Sequence, residues 1–206
     1  MSSPATAIDP RATRAVAAGV AAASANQRLP NSVLAMIIFI ATEIMFFAAL
    51  MSAHTIARAT VPGGVWPPAG QPRLPVERTA FNTAILLLSG VLLAIANRRA
   101  RDGYEKALSY VAAAIAAGSA FVLLQGVEWV RLLHEGLTMT ANAHGAFFYL
   151  IVGAHALHAV VAIAALAAVY VPMRRGTLSP SRFTATQLFW YFVVLLWPVI
   201  YLRVYL

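Results

Sequence analysis

A carboxylate stands in the middle of an apolar run. Glu43 lies within VLAMIIFIATEIMFFAALMSA, residues 33 to 53. That run is long enough to cross a bilayer, since a spanning helix needs about 20 apolar residues. An acid near the bilayer centre costs at least ~2.5 kcal/mol on the most lenient insertion scale. Glu43 should therefore face protein, water or a polar lipid group. Three chemistries suit it: a carboxyl hydrogen-bonded inside a bundle, a proton-relay group, or a contact to a lipid headgroup. Bundle and packing roles are the commoner fate of such a residue.

Two further apolar runs carry polar groups. GSAFVLLQGVEW, residues 118 to 129, holds Gln125 and Glu128 three apart, hence on one helical face. Gly118 and Ser119 precede them by about two turns and allow another helix to approach closely. Glu128 nears the end of its run, where water or Arg131 can satisfy it. HGAFFYLIVGAHALHAVVA, residues 144 to 162, holds His155 and His158, again three apart and expected on one face. Paired imidazoles invite haem or metal ligation. A haem b takes one imidazole from each side, usually from two helices, and His54, His134 and His144 all belong near span ends. A mononuclear metal wants three or four convergent ligands. Interhelical hydrogen bonding, to Glu43 or Glu128, fits these imidazoles better. No catalytic residue, metal or cofactor is expected in this chain. The absence of cysteine removes disulfides, thiolate metal sites and cysteine nucleophiles.

These residues need helices to position them, and the composition supplies them. Of 206 residues, 61% are hydrophobic and 11% charged, with a mean hydropathy of +0.75; soluble domains average about 25% charged. The chain is read as a polytopic all-α membrane protein, one domain of five transmembrane helices. The apolar stretches run from about Val33 to Ala57, Ala80 to Ala96, Ala107 to Leu132, Ala143 to Val171 and Ala185 to Leu206. None has the alternation of a membrane β-barrel. The first connection, between Thr60 and Arg78, contains five prolines and must be an irregular surface loop. Pro198 is expected to kink the last helix. Trp190, Trp197, Tyr201 and Tyr205 are expected as interface anchors or packing groups, and Arg203 as a residue that snorkels to headgroups. No internal repeat of the kind seen in many secondary transporters is visible.

The net charge of +8 comes from 14 Arg and one Lys set against seven acids. They fall between apolar runs, where they mark topology and meet lipid headgroups; nucleic acid is not an expected partner. Ten basic residues belong to one side (Arg11, Arg14, Arg28, Arg98, Arg99, Arg101, Lys106, Arg174, Arg175, Arg182) and five to the other (Arg58, Arg73, Arg78, Arg131, Arg203). The positive-inside rule places the N-terminus in the cytoplasm and the C-terminus outside. Residues 1–29, rich in Ala and Ser, are read as a cytoplasmic arm. Their AVAAGVAAASA stretch faintly resembles a signal peptide, but its Ala–Gly core is weak.

Five segments, in order and spacing, resemble subunit III of the haem–copper oxidases. Thr42 to Phe47 match a Ser/Thr-Glu-x-Met-Phe-Phe motif, and Asn82, Thr83 and Ser89–Gly90 match an Asn-Thr…Ser pattern. Gly118, Gln125, Glu128 and Trp129 match Gly…Gln-x-x-Glu-aromatic. Phe147, Phe148, Gly153, His155, Leu157 and His158 match Phe-Phe…Gly-x-His-x-Leu-His. Trp190, Tyr191, Phe192, Val193, Val194 and Trp197 match a last motif in which the family has His and Asp where this chain has Tyr191 and Val194. The likeness covers about residues 30 to 206 and corresponds to the short five-helix bacterial form.

The resemblance implies an accessory subunit without redox centres, in a proton-pumping cytochrome c oxidase of an aerobic respiratory chain. Haem and copper would belong to partner subunits. It implies packing against subunit I, proximity to subunit II and to cytochrome c or other respiratory complexes, and a V-shaped cleft that holds phospholipids. It also implies support of proton uptake and protection from turnover inactivation. Glu43 matches the family's carbodiimide-reactive carboxylate. Polar-network roles would fall to Glu43, Gln125, Glu128, His155 and His158, and lipid-cleft roles to Glu43, His155, His158, Trp190 and Arg203. The alternatives are subunit III of a quinol oxidase, the accessory subunit of a nitric oxide reductase, and, in another class, an independent proton channel or carrier. The scarcity of polar residues in ILLLSGVLLAIA argues against a channel. The expected location is the bacterial inner membrane.

Overall fold

The computed structural model describes Arg14 and residues 29–61, 65–68 and 70–206. The expected arm, 1–29, lies outside the described residues apart from Arg14 and Leu29. Five long helices follow in chain order: α1, Asn31–Ala59; α2, Val76–Ala100; α3, Leu108–His134; α4, Ala143–Arg174; and α5, Pro180–Ile200. A 3₁₀ turn, Tyr104–Ala107, leads into α3, and a π turn, Tyr201–Tyr205, continues α5. Each of the five is long and apolar enough to cross a membrane. The protein is a multi-pass membrane protein.

Local chemistry explains where the helices stop. α3 and α4 end in the same device. Gly136 adopts φ 91° and Gly176 φ 68°, the left-handed conformation that glycine enters without a Cβ penalty. At α3, Leu137 N–H donates to the Leu132 carbonyl at 2.9 Å and Gly136 N–H to that of Leu133 at 3.1 Å. At α4, Thr177 N–H donates to Pro172 at 3.0 Å and Gly176 N–H to Met173 at 3.2 Å. These paired bonds satisfy carbonyls that the helix end would leave bare. α4 begins with Asn142, whose side chain accepts from Gly145 N–H at 3.0 Å, an N-cap. α5 begins with Pro180, which lacks the N–H that a first-turn position does not need. Pro198 does not break α5. The helix runs on to Ile200 and then widens into the π turn, the kind of local adjustment that proline's missing donor permits.

Helices α2 to α5 form the core, with α2 against α3 and α5, α3 against α4, and α4 against α5. α1 packs on α4 and α5 and makes no comparable contact with α2 or α3. Only 11% of its most apolar stretch is buried, against 44% for α2 and α5. Close packing of the core rests on small residues. A Cβ at Gly118 would lie 2.5 Å from Cη2 of Trp190, and one at Gly90 would lie 3.0 Å from Cγ1 of Val194. Trp190 and Trp197 are fully buried, so they are packing groups and not interface anchors. Alternating helix direction gathers Arg58, Trp66, Val76, His144 and Tyr205 at one end of the bundle, where they border a common cavity. Tyr104 and Phe183 meet at the other end.

Candidate functional site: polar groups inside the spans

Glu43 meets His158. The imidazole Nε2 lies 3.0 Å from Glu43 Oε2, and Nδ1 lies 2.7 Å from the carbonyl oxygen of Ala154. The carbonyl can only accept, so Nδ1 carries a hydrogen. A neutral ring then has a bare Nε2, and the 3.0 Å contact requires one proton between Nε2 and Oε2. Either the carboxyl donates it to a neutral imidazole, or an imidazolium donates it to a carboxylate. The net charge of the pair is zero in both cases, which removes the isolated charge that made Glu43 costly.

The pair sits deep. Glu43 is twelve residues after Asn31 and sixteen before Ala59 in α1, so about 18 Å and 24 Å from the helix ends at 1.5 Å per residue. His158 is fifteen residues after Ala143 and sixteen before Arg174 in α4. The side chains are 18% and 15% exposed respectively. Phe47 of α1 and Phe189 and Phe192 of α5 ring the imidazole at centroid distances of 5.4, 6.3 and 6.4 Å. Among the described residues this is the one side-chain hydrogen bond that ties α1 to another helix.

His155 has a different environment. Residues three apart are separated by about 60° around a helix, and inside a bundle that angle changes the neighbours. His158 faces α1, whereas His155 is 1% exposed, lies 4.9 Å from the Trp197 ring and sees Phe121 at 6.3 Å. Neither of its ring nitrogens has a hydrogen-bond partner. His155 borders a cavity of about 160 Å³ with Phe121, Gln125, Trp129 and Trp197. The two histidines share the side of α4 that meets α5, His158 at Phe189 and Phe192 and His155 at Trp197, and His158 alone reaches α1. Glu43, His158, Trp190 and Arg203 do not border this cavity.

Gln125 and Glu128 are both buried, as their spacing predicts, and find partners far away in sequence. Gln125 Nε2 donates to Tyr205 Oη at 2.9 Å. Glu128 Oε1 accepts from Arg78 Nη1 at 3.3 Å. The expected helper, Arg131, instead binds Glu135 at 3.0 Å, one turn on. A ladder of bonds joins α5 to α2: Trp190 Nε1 to Ser89 Oγ at 3.1 Å, Trp197 Nε1 to Thr83 Oγ1 at 2.9 Å, and Tyr201 Oη to the Val76 carbonyl at 3.1 Å. Sequence reasoning missed Arg78 and the hydrogen-bonding role of Tyr205. Val194 fills the space beside Gly90, and Tyr191 is half-buried. Arg203 is exposed on the π turn. Among the described residues no three His, Asp or Glu side chains come together as a metal cluster.

Five spans, with paired polar groups held between them, define the class: a multi-pass helical membrane protein whose polar residues join helices. The family model of cytochrome c oxidase subunit III matches residues 20–206, and the chain belongs to that family. Cytochrome c oxidase subunit 3 of Dasypus novemcinctus is 31% identical over 178 residues, which cover 82% of this chain and 67% of that protein. The Gallus gallus protein of the same name is 31% identical over 179 residues, with the same coverage. The probable cytochrome c oxidase subunit 3 of Nocardia farcinica is 29% identical over 181 residues, covering 85% of this chain and 88% of its own. The bacterial relative is therefore close to this chain in length, and the vertebrate ones are longer.

Proposed function

We propose that this chain serves as the redox-centre-free accessory subunit of a proton-pumping cytochrome c oxidase in a bacterial inner membrane, with its N-terminus cytoplasmic and its C-terminus external. It packs against the haem-bearing subunit I, lies near subunit II, and holds phospholipid against its helices. Its role is to keep proton uptake running through turnover. Haem and copper reside in the partner subunits, and cytochrome c is the electron donor.

The Glu43–His158 pair carries this reading. A carboxyl–imidazole pair holding one proton at mid-span, on the thinly covered helix α1, suits a group that tunes a neighbouring proton path. It does not suit a self-contained channel, because the pair, His155 and the Gln125–Tyr205 and Glu128–Arg78 contacts are not linked to one another by hydrogen bonds. In the assembled oxidase, Glu43→Gln is expected to leave assembly and the initial rate of oxygen reduction largely intact. The rate of inactivation during turnover, or the amount of bound lipid, changes instead. Complete loss of activity in a fully assembled Glu43→Gln complex contradicts the proposal. A haem absorption band from this polypeptide alone contradicts the assignment of redox centres to its partners.

A further inference from the structure

At the end of the bundle where α1 finishes and α4 begins lies a cavity of about 480 Å³, bordered by Arg58, Trp66, Gln71, Arg73, His144 and Tyr205. Its size falls in the range of small-molecule sites. Two guanidinium groups border it and, among the described residues, no Asp or Glu side chain does; Arg73 also borders an adjoining cavity with Glu128 and Glu135, whose nearer partners are Arg78 and Arg131. Among the described residues neither Arg58 nor Arg73 forms an ion pair. Like charges sharing one concavity repel, and the surplus is relieved by an anion.

The floor is built rather than incidental. Trp66 stands edge-on to His54 at 5.6 Å and to His144 at 5.1 Å, so loop, α1 and α4 are locked together there. His144 is 3% exposed, and its Nε2 is buried with no hydrogen-bond partner. Gln71 Oε1 is likewise buried and unpartnered; an amide rotated by half a turn would present donors there, since its O and N positions are assigned from the network. Groups of this kind are normally satisfied. Leu74 and Val204 add apolar wall on the side of the spans.

We infer that this cavity binds a phosphate group. The two arginines would take its oxygens in the forked geometry that guanidinium offers, with the imidazole of His144 and the amide of Gln71 beside them. The phosphate comes either from a glycerophospholipid headgroup, with its chains along Leu74 and Val204, or from free inorganic phosphate. The site is separate from the Glu43–His158 pair and does not depend on the role proposed for it.

The test uses the full chain in its assembled complex, reconstituted in nanodiscs of phosphatidylcholine with a minor share of phosphatidylglycerol. After detergent extraction, retained phospholipid is counted by native mass spectrometry and bound phosphate by phosphorus NMR. The double variant Arg58→Gln, Arg73→Gln is expected to weaken retention tenfold or more, through loss of charge-assisted hydrogen bonds. Arg131→Gln, at the same end but outside the cavity, leaves retention unchanged. Displacement by excess inorganic phosphate assigns the site to the free ion, and resistance to it assigns the site to a headgroup. Equal retention by the double variant and the wild type overturns the inference, as does an equal loss in Arg131→Gln. Should the double variant fail to assemble, the wild type decides: a saturable phosphorus signal supports the site and its absence rejects it.

Discussion

The tie between α1 and the rest of the bundle can be measured as a coupling energy. Glu43→Ala deletes the carboxyl and leaves His158 Nε2 without a partner in a site where its side chain is only 15% exposed. Orphaning such a group costs ~1–3 kcal/mol in soluble proteins. Cycles within bilayers average ~0.6 and reach ~1.7 kcal/mol. The 3.0 Å contact lies far from either helix end and is shared by ionisable groups, so a coupling near the upper figure, about 1–1.7 kcal/mol, is expected. His158→Ala removes the other half, and the double alanine variant should cost less than the sum of the two by that amount. Glu43→Gln keeps a donor facing Nε2, a neutral bond roughly half as strong as a charged one, and should cost less than about 1 kcal/mol. α1 does not detach in any of these variants, because Phe39 still meets Phe189 at 5.7 Å and Phe47 meets Phe192 at 6.4 Å. The assay is graded unfolding of the full chain in mixed micelles, followed by tryptophan fluorescence. A coupling within about 0.3 kcal/mol of zero, the ordinary scatter of independent sites, refutes the pairing. So does a Glu43→Gln variant as unstable as Glu43→Ala.

Other substitutions test the packing. Gly118→Ala sets a methyl 2.5 Å from Trp190 Cη2; overpacking of this kind costs ~1–3 kcal/mol, and Trp190→Phe in the same chain should recover part of it, seen as a non-additive shift in the unfolding midpoint. Arg78→Gln should lower stability by less than about 1 kcal/mol, because the arginine is 57% exposed and its ion pair is screened; a larger loss would mean that Glu128 depends on it more than the 3.3 Å contact implies. His155→Phe should be close to neutral or stabilising, since both ring nitrogens lack partners and burying a polar group unpaired is unfavourable. A loss of ~2 kcal/mol or more would mean that the imidazole is satisfied after all, for instance by water in the adjoining cavity.

The spans were legible in the sequence because each buries or exposes a long apolar run, and hydropathy needs no partner to be read. Their ends were less so. α5 starts at Pro180 and not near Ala185, since Ser181, Arg182 and Thr184 continue the helix beyond the apolar stretch. The polar pairs divide by distance along the chain. A carboxylate and an imidazole in different apolar runs were expected to meet, and Glu43 and His158 do. Glu128 was matched with Arg131 by proximity, yet an i,i+4 partner suits Arg131 better and Glu135 takes it. Arg78, fifty residues from Glu128, reaches it only through the packing of α2 on α3, which no periodicity records. His155 and His158 share a spacing but not a neighbourhood, because 60° is enough to pass from the α1 side of α4 to the cavity beside Trp197.

The geometry of Glu43 also limits what the residue can do. A proton on the pair has two resting places, Oε2 and Nε2, and Nδ1 is occupied by the Ala154 carbonyl. The nearest imidazole on α4, His155, has no hydrogen bond that could receive or pass a proton. Beyond the pair, the ring of Phe47, Phe189 and Phe192 closes the side facing the bundle. The remaining exposure, 18% for the carboxyl, is on α1, the helix that the other four cover least. Proton exchange with Glu43 therefore needs water, lipid or an adjoining subunit on the α1 side. An effect of Glu43→Gln on oxidase turnover should vanish when α1 is kept from touching its neighbour, and persist when the α2–α3 side is altered.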